Sequence, residues 1–130
     1  MNILVLGDVV GLSGMNVLKK KLPNLIKEKD LNFVIVNGEN AAEDGRGINN
    51  EVAKEIFSIG VDVITSGNHI WDKQETISYI EKERRLLRPA NLAKGSPGQG
   101  YGIFFSKDKK FKIGVINLMG NVFMRKTEDV

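Results

Sequence analysis

Three strand-like runs, residues 3–6, 33–36 and 61–64, the first two wholly apolar and the third holding Asp62, alternate with stretches of helical periodicity, and this alternation limits the chain to very few folds. A run of four apolar residues without polar alternation suits a strand buried on both faces, as in a parallel sheet. After the first run, Val17, Leu18, Leu22, Leu25 and Ile26 recur at helical spacing. They predict an amphipathic helix over about residues 14–29, with Pro23 as a kink or a late start. Val52, Ala53, Ile56 and Phe57 predict a second helix closed by Gly60, and Ile77 and Ile80 a third over about residues 72–83, with Asp72 as N-cap. Repeated strand–helix units imply an α/β domain with a mostly parallel sheet, and right-handed crossovers are expected to put helices on both faces. Residues 89–100, with two prolines and three glycines, read as a loop. Residues 101–105 and 111–117, around a polar turn at 107–110, read as an antiparallel hairpin.

A chain of 130 residues suits one domain, and residues 1–130 are read as a single one. The strand ending near Asn117 has no helix after it, and residues 126–130 carry no terminating signal. The sheet is therefore expected to continue past Val130, and an uncovered edge and one helix-bare face should show apolar surface. There is no cysteine, which removes disulfides, zinc–thiolate sites and a thiol nucleophile. The start has no basic lead or cleavage site, and no apolar run approaches the roughly 20 residues that span a bilayer. These features favour a soluble cytoplasmic protein. A net charge of +3 admits an anionic partner. However, Lys19, Lys20, Lys21, Lys27 and Lys29 lie among acidic residues or on a solvated helix face, and Arg84, Arg85 and Arg88 are balanced by Glu81 and Glu83. Few aromatics interleave with them, so solvated faces are the better reading than a nucleic-acid patch.

The chemistry gathers where the strands end. The first run is followed by Gly7-Asp8, the second by Asn37-Gly38-Glu39-Asn40 and the third by Gly67-Asn68-His69. In an open parallel sheet all carboxyl ends share one edge, where ligands bind. Asp8, Glu39, Asn40, Asn68 and His69 should therefore converge. Each has an ordinary explanation taken singly: Asp8 as a turn or cap residue, Asn37 and Asn40 as turn formers, His69 as a structural histidine, Trp71 as packing. Metal-type donors at all three strand ends together favour a site. Two carboxylates and two amide oxygens are hard donors that suit Mn²⁺, Fe²⁺ or Mg²⁺. Glu39, in the middle cluster and beside a second donor, is the natural bridge between two ions. His69 could protonate a leaving alkoxide.

The segments Leu6-Gly7-Asp8-Val9-Val10-Gly11, Asn37-Gly38-Glu39-Asn40-Ala41-Ala42 and Gly67-Asn68-His69-Ile70-Trp71-Asp72 resemble the motifs of the YmdB-type bacterial metallophosphoesterases, a branch of the calcineurin-like superfamily. Arg88-Pro89-Ala90-Asn91 and Val115-Ile116-Asn117-Leu118 are similar to later segments of that branch. The resemblance implies the calcineurin-like fold and a phosphodiesterase with two divalent ions, iron or manganese before magnesium. Implied substrates are cyclic nucleotides of the 2′,3′-cyclic AMP type. By the same resemblance Asp8 binds one metal, Glu39 bridges both, Asn40 and Asn68 bind the second, and His69 is the general acid. The implied partners are a small phosphodiester, RNA-derived nucleotides included, and no membrane; a second copy of the chain is compatible with the reading. The wider superfamily usually opens with Asp-X-His, whereas Val10 occupies that position here, which fits this branch. Family members also draw three histidine ligands from a later half that is expected to follow Val130.

Two rival readings remain. Gly7, Gly11 and Gly14 could cradle a phosphate at a helix start, although their spacing matches neither the dinucleotide fingerprint nor the P-loop. The chain could also be a nucleotide-binding or RNA-associated regulatory protein that performs no catalysis.

Overall fold

The structure, a computed structural model, describes residues 1–122, so the tail at 126–130 lies outside the described residues. In chain order the elements are β1 (Ile3–Val10), α1 (Gly11–Glu28), β2 (Phe33–Asn40), α2 (Asn50–Ser58), β3 (Val63–Thr65), α3 (Glu75–Ile80), β4 (Leu86–Leu87), β5 (Tyr101–Phe105) and β6 (Lys112–Ile116). The first four strands form one parallel sheet in the order β1-β2-β3-β4. β5 and β6 pair antiparallel as the expected hairpin. The class is α/β, with a parallel sheet flanked by helices.

The helices are arranged differently from the expectation. Met15, Leu18 and Leu22 of α1, Ala53 and Ile56 of α2 and Ile80 of α3 all join one core cluster with Val34, Val36, Ile64 and Leu86 of the sheet. Phe33, Val63 and Leu87, which point the other way, pack instead against Ile113 and Val115 of the hairpin, with Ile35 and Phe104 beside them. Helices therefore cover one face and the hairpin the other. The physical reason is the strand order: when each crossover of one hand moves on to the next strand in the same direction, every helix falls on the same side. Leu22, Phe33, Ile56 and Ile64 are fully buried. Each such side chain stabilises the fold by roughly 1.5–3 kcal/mol relative to exposure.

Local sequence explains most element ends. α1 starts at Gly11, three residues earlier than its apolar spacing suggests, and Pro23 lies inside it. Asn49 caps α2 by accepting the Val52 N–H at 2.9 Å, and Gly60 turns the chain afterwards with φ of 105°. Lys19 of α1 pairs with Glu55 of α2, and Arg85 with Glu83, as the balanced-charge reading expects. Arg88 instead donates to the backbone carbonyls of Pro89 and Pro97, so it fastens the 89–100 loop.

Apolar surface does appear beyond the helical face. Ile3 and Val5 on edge strand β1, and Tyr101, Ile103, Phe105 and Ile116 on the outer side of the hairpin, are all exposed. An open groove of about 590 Å³ runs between β1 and α1, lined mainly by leucine and valine, and Asp8 sits among its lining residues.

Candidate metal centre

Parallel pairing carries β1 and β2 past their apolar runs, so Asp8, Glu39 and Asn40 lie within the strands themselves. The register runs evenly to Leu6↔Val36 and then shifts twice, to Asp8↔Asn37 and to Val10↔Asn40. Such irregularities re-aim side chains, and here they fall where the polar residues begin. Gly38 is closely packed in this bend: a Cβ there would stand 3.0 Å from the Ile64 side chain and 3.2 Å from that of Ile48. Asn37 is a local brace, its Oδ1 accepting the Glu39 N–H at 3.0 Å.

The carboxylate side of the site follows. Asn40 Nδ2 donates to Asp8 Oδ2 at 2.8 Å, which leaves the Asn40 amide oxygen as its group for a cation. Glu39 Oε2 is buried and has no hydrogen-bond partner. A Cβ on Gly67 would lie 2.1 Å from that oxygen, so the bare glycine at the end of β3 makes the space that the Glu39 carboxylate occupies. A buried carboxylate oxygen without a donor costs free energy unless a ligand completes it. Two carboxylates with nearby amide oxygens suit a hard divalent cation. The residues present thus fit the metal chemistry that the sequence implies. They form a partial shell: among the described residues, no three His, Cys, Asp or Glu side chains gather into a metal-type cluster.

The histidine side is built on the turn after β3. Ile70 N–H donates to Gly67 O at 3.3 Å and Asp72 N–H to His69 O at 3.1 Å. This folds His69 and Asp72 together, with His69 Nδ1 2.7 Å from Asp72 Oδ2. Asn68 Nδ2 lies 3.1 Å from His69 Nε2. Arg46, from the loop after β2, donates through Nε to Asp72 Oδ2 at 2.5 Å. Its Nε is also 3.2 Å from His69 Nδ1. When Nδ1 carries the hydrogen that faces Asp72, it cannot accept from Arg46, so both donors converge on the Asp72 carboxylate. That carboxyl is held below the usual range, by Arg46 first and His69 second. Next to it Lys73 pairs with Asp44 at 2.6 Å and lowers the Asp44 carboxyl likewise.

Asp72 is therefore not a helix cap. α3 begins at Glu75, and the residue before it, Gln74, makes no side-chain cap bond. Trp71 packs against the core, as expected. The structure brings Asp8 to Asn40, Glu39 to the backbone at Gly67, and Asn68 to His69, all at the carboxyl edge of one parallel sheet. Sequence reasoning missed Arg46, the space that Gly67 leaves for Glu39, and the use of Asp72; the His-x-x-Asp spacing inside a turn was the available signal. Beneath the site, buried Asn117 donates to Ser66 O at 2.7 Å and to Leu87 O at 3.2 Å, tying β6 to the ends of β3 and β4. At the glycines of the phosphate-loop alternative, Gly11 has φ of 55°, and a Cβ on it would meet the Glu43 carbonyl oxygen at 3.4 Å.

A family model described as YmdB-like protein matches residues 4–130. The chain is 40% identical over 129 residues to the 2′,3′-cyclic-nucleotide 2′-phosphodiesterase of Bacillus subtilis (strain 168), a match that covers 99% of this chain and 48% of that one. A crystal structure of a hypothetical protein from Thermus thermophilus superposes with a TM-score of 0.89 at 31% identity, covering 99% of this chain and 49% of the other. A Mycoplasma pneumoniae structure described as a novel phosphatase superposes with a TM-score of 0.84 at 33% identity, covering 96% and 46%. The chain thus spans about half the length of the relatives it matches.

Proposed function

The chain belongs to the YmdB-like family, and from that premise we propose that a family-length protein carrying these residues is a metal-dependent phosphodiesterase acting on 2′,3′-cyclic nucleotides. The Bacillus subtilis relative is named for that substrate class. The single observation that supports the metal chemistry is Glu39 Oε2, buried without a partner against the bare Gly67. Two divalent cations, iron or manganese before magnesium, would supply a hydroxide nucleophile and offset charge on the phosphate. Asp8, Glu39 and the amide oxygens of Asn40 and Asn68 are the groups that would hold them, with Glu39 as the bridge. His69 delivers a proton from Nε2 to the departing ribose oxygen, because an alkoxide is too poor a leaving group to depart unprotonated.

This reading assigns His69 and Glu39 different tasks, and the two can be separated. In the family-length protein His69→Ala should slow a cyclic nucleotide by about 10²–10⁴-fold, the usual contribution of a general acid. A nitrophenyl diester, whose leaving group needs no proton, should slow far less, and metal content should stay the same. Glu39→Ala should empty at least one metal position and abolish both reactions. Equal slowing of both substrates by His69→Ala, together with metal loss, would make His69 a ligand and sink the assignment.

A second reading concerns the chain by itself: a nucleotide-binding or RNA-associated role without catalysis. Hydrolysis of 2′,3′-cyclic AMP by the 130-residue protein with added Mn²⁺ would rule it out. Among the described residues no helix is long and apolar enough to cross a membrane.

A further inference from the structure

We propose that the free edge of β5 takes up an extended acidic peptide as an added strand, in the groove between β5 and the segment that leads into β4. The ladder of the hairpin fixes which backbone groups are available. Asn117 N–H donates to Gly100 O and Ser106 N–H to Phe111 O, both at 2.9 Å. Hydrogen-bonded pairs alternate along an antiparallel ladder, so Gly102 and Phe104 turn their N–H and C=O groups to β6, and those of Tyr101, Ile103 and Phe105 face away from it. β5 meets the β4 side only at its approach, where Arg88 N–H donates to Gln99 O at 3.0 Å. Beyond that bond, among the described residues, no strand pairs with the outer edge of β5. An open groove of about 430 Å³ lies there, lined by Tyr101, Ile103 and Phe104 from β5 and by Arg84 and Arg85 from the segment before β4. Its volume is within the range of ligand clefts. None of Asp8, Glu39, Asn40, Asn68 or His69 lines it, so the inference stands apart from the proposed chemistry.

Charge selects the occupant. Arg85 is already engaged: it pairs with Glu83 at 2.6 Å and lies over the Phe57 ring. Asp62, the other carboxylate that acts on Arg85, accepts the Val34 N–H at 2.8 Å. Arg84 is exposed and has neither an ion-pair nor a hydrogen-bond partner among the described residues. A second copy of the chain would bring another Arg84 to the edge with no carboxylate to meet it. An acidic strand brings the missing charge. Successive side chains of such a strand point to opposite faces. One set lies beside exposed Tyr101 and Ile103 on the outer side of the hairpin, and the other faces the groove and Arg84. Main-chain bonds to the edge supply affinity, and the alternating side chains supply specificity.

The probe is a capped hexapeptide of alternating valine and aspartate, compared with its valine–lysine counterpart, each titrated into the ¹⁵N-labelled 130-residue protein. The aspartate peptide should move the amide signals of Tyr101, Ile103 and Phe105 and slow their hydrogen exchange. It should bind tighter than the lysine peptide by about 5-fold, the worth of an exposed ion pair, and the gap should narrow in added salt. Arg84→Glu should reverse the preference. Ile103→Pro removes one N–H from the free edge, where proline is tolerated, and leaves the bonds to β6 in place; it should abolish the exchange protection. Should that variant lose its dispersed amide spectrum, the aspartate peptide N-methylated at every residue serves instead, and it should not bind wild type because its donors are gone. No protection at the three amides, equal binding of the two peptides, or a preference that Arg84→Glu leaves unchanged overturns the inference. Protection of the same amides that grows with protein concentration alone also overturns it, making a second copy the occupant. So does protection in the family-length protein without peptide, which would make its later half the occupant. Movement of these signals by 2′,3′-cyclic AMP and not by the aspartate peptide would assign the groove to a nucleotide and overturn it as well.

Discussion

Glu39 and Asp72 are carboxylates at the same edge of one sheet, yet their surroundings are opposite. Asp72 receives Arg46 and His69 and is held ionised by them. Glu39 is more deeply placed, and one of its oxygens is buried with no donor at all. The first arrangement is self-sufficient: every group in it has a partner from the chain. The second leaves a buried polar atom unsatisfied, at a cost of about 1–3 kcal/mol that a cation of the proposed kind would offset. On the proposed reading, one side of the site holds a ring and the other is shaped around a cation. Such a cost at a functional position is a common exchange of stability for activity.

Gly67→Ala should break this contrast most severely. The new Cβ would fall 2.1 Å from Glu39 Oε2, and the nearest atoms all belong to the Glu39 carboxylate, the flexible end of that side chain, which would have to move. Overpacking of this kind costs about 1–3 kcal/mol. Thermal unfolding should show that loss, and Mn²⁺ should no longer raise the melting temperature because Glu39 has been displaced. A variant as stable and as Mn²⁺-responsive as wild type would mean that Gly67 does not make the carboxylate's space.

Glu39→Gln sharpens the comparison with a smaller effect of opposite sign. The amide nearly matches the carboxylate in shape and removes the formal charge beside the one buried oxygen that has no donor. Without metal, this variant should be up to about 1 kcal/mol more stable than wild type, part of the unsatisfied-group penalty. With Mn²⁺ the order should reverse, since wild type alone gains from binding. Urea unfolding with and without Mn²⁺ measures both. A loss of stability in the metal-free state would show that the Glu39 charge is already compensated.

The limits of the sequence reading follow the same physics. The apolar runs locate the strand cores, but burial on both faces holds for β2 and not for edge strand β1, where Ile3 and Val5 are exposed. The strand ends are misjudged: Asn37 to Asn40 carry turn chemistry, yet they continue β2 because β1 is there to pair with them. Tertiary pairing overrides local preference here. β4, only Leu86–Leu87, is too short to leave a periodic signal. Helix placement depends on strand order, which no local window contains. At the site, the residues that stand directly at the strand ends are legible because the sheet delivers them to one edge. Arg46 and Gly67 are not, since one comes from an exposed loop and the other acts by lacking a side chain. Asp72 sits where a helix cap belongs, and only the fold of the turn reveals that it faces His69 instead.

Arg46→Gln tests the self-sufficient side and should have the smallest effect. The folded Asp72 carboxyl is depressed below its ordinary value of 3.8, with Arg46 the largest cause and His69 the next. A depressed carboxylate contributes stability that is present above its unfolded value and is lost as pH falls through its folded value. Removing Arg46 takes away the larger of the two named partners, so the folded value rises toward the ordinary one. The acid loss of stability should then begin at higher pH, in the window just below about pH 4. The pair is solvent-exposed on the Arg46 side, with 66% of that side chain accessible, so solvent screens it. The difference at neutral pH should stay within about 1 kcal/mol, as for other exposed ion pairs, and should shrink further in added salt. Acid titration of unfolding at low and high salt reads both trends. An acid midpoint that does not move would place Asp72 under the control of His69 alone, and Arg46 would then be a bystander on the loop.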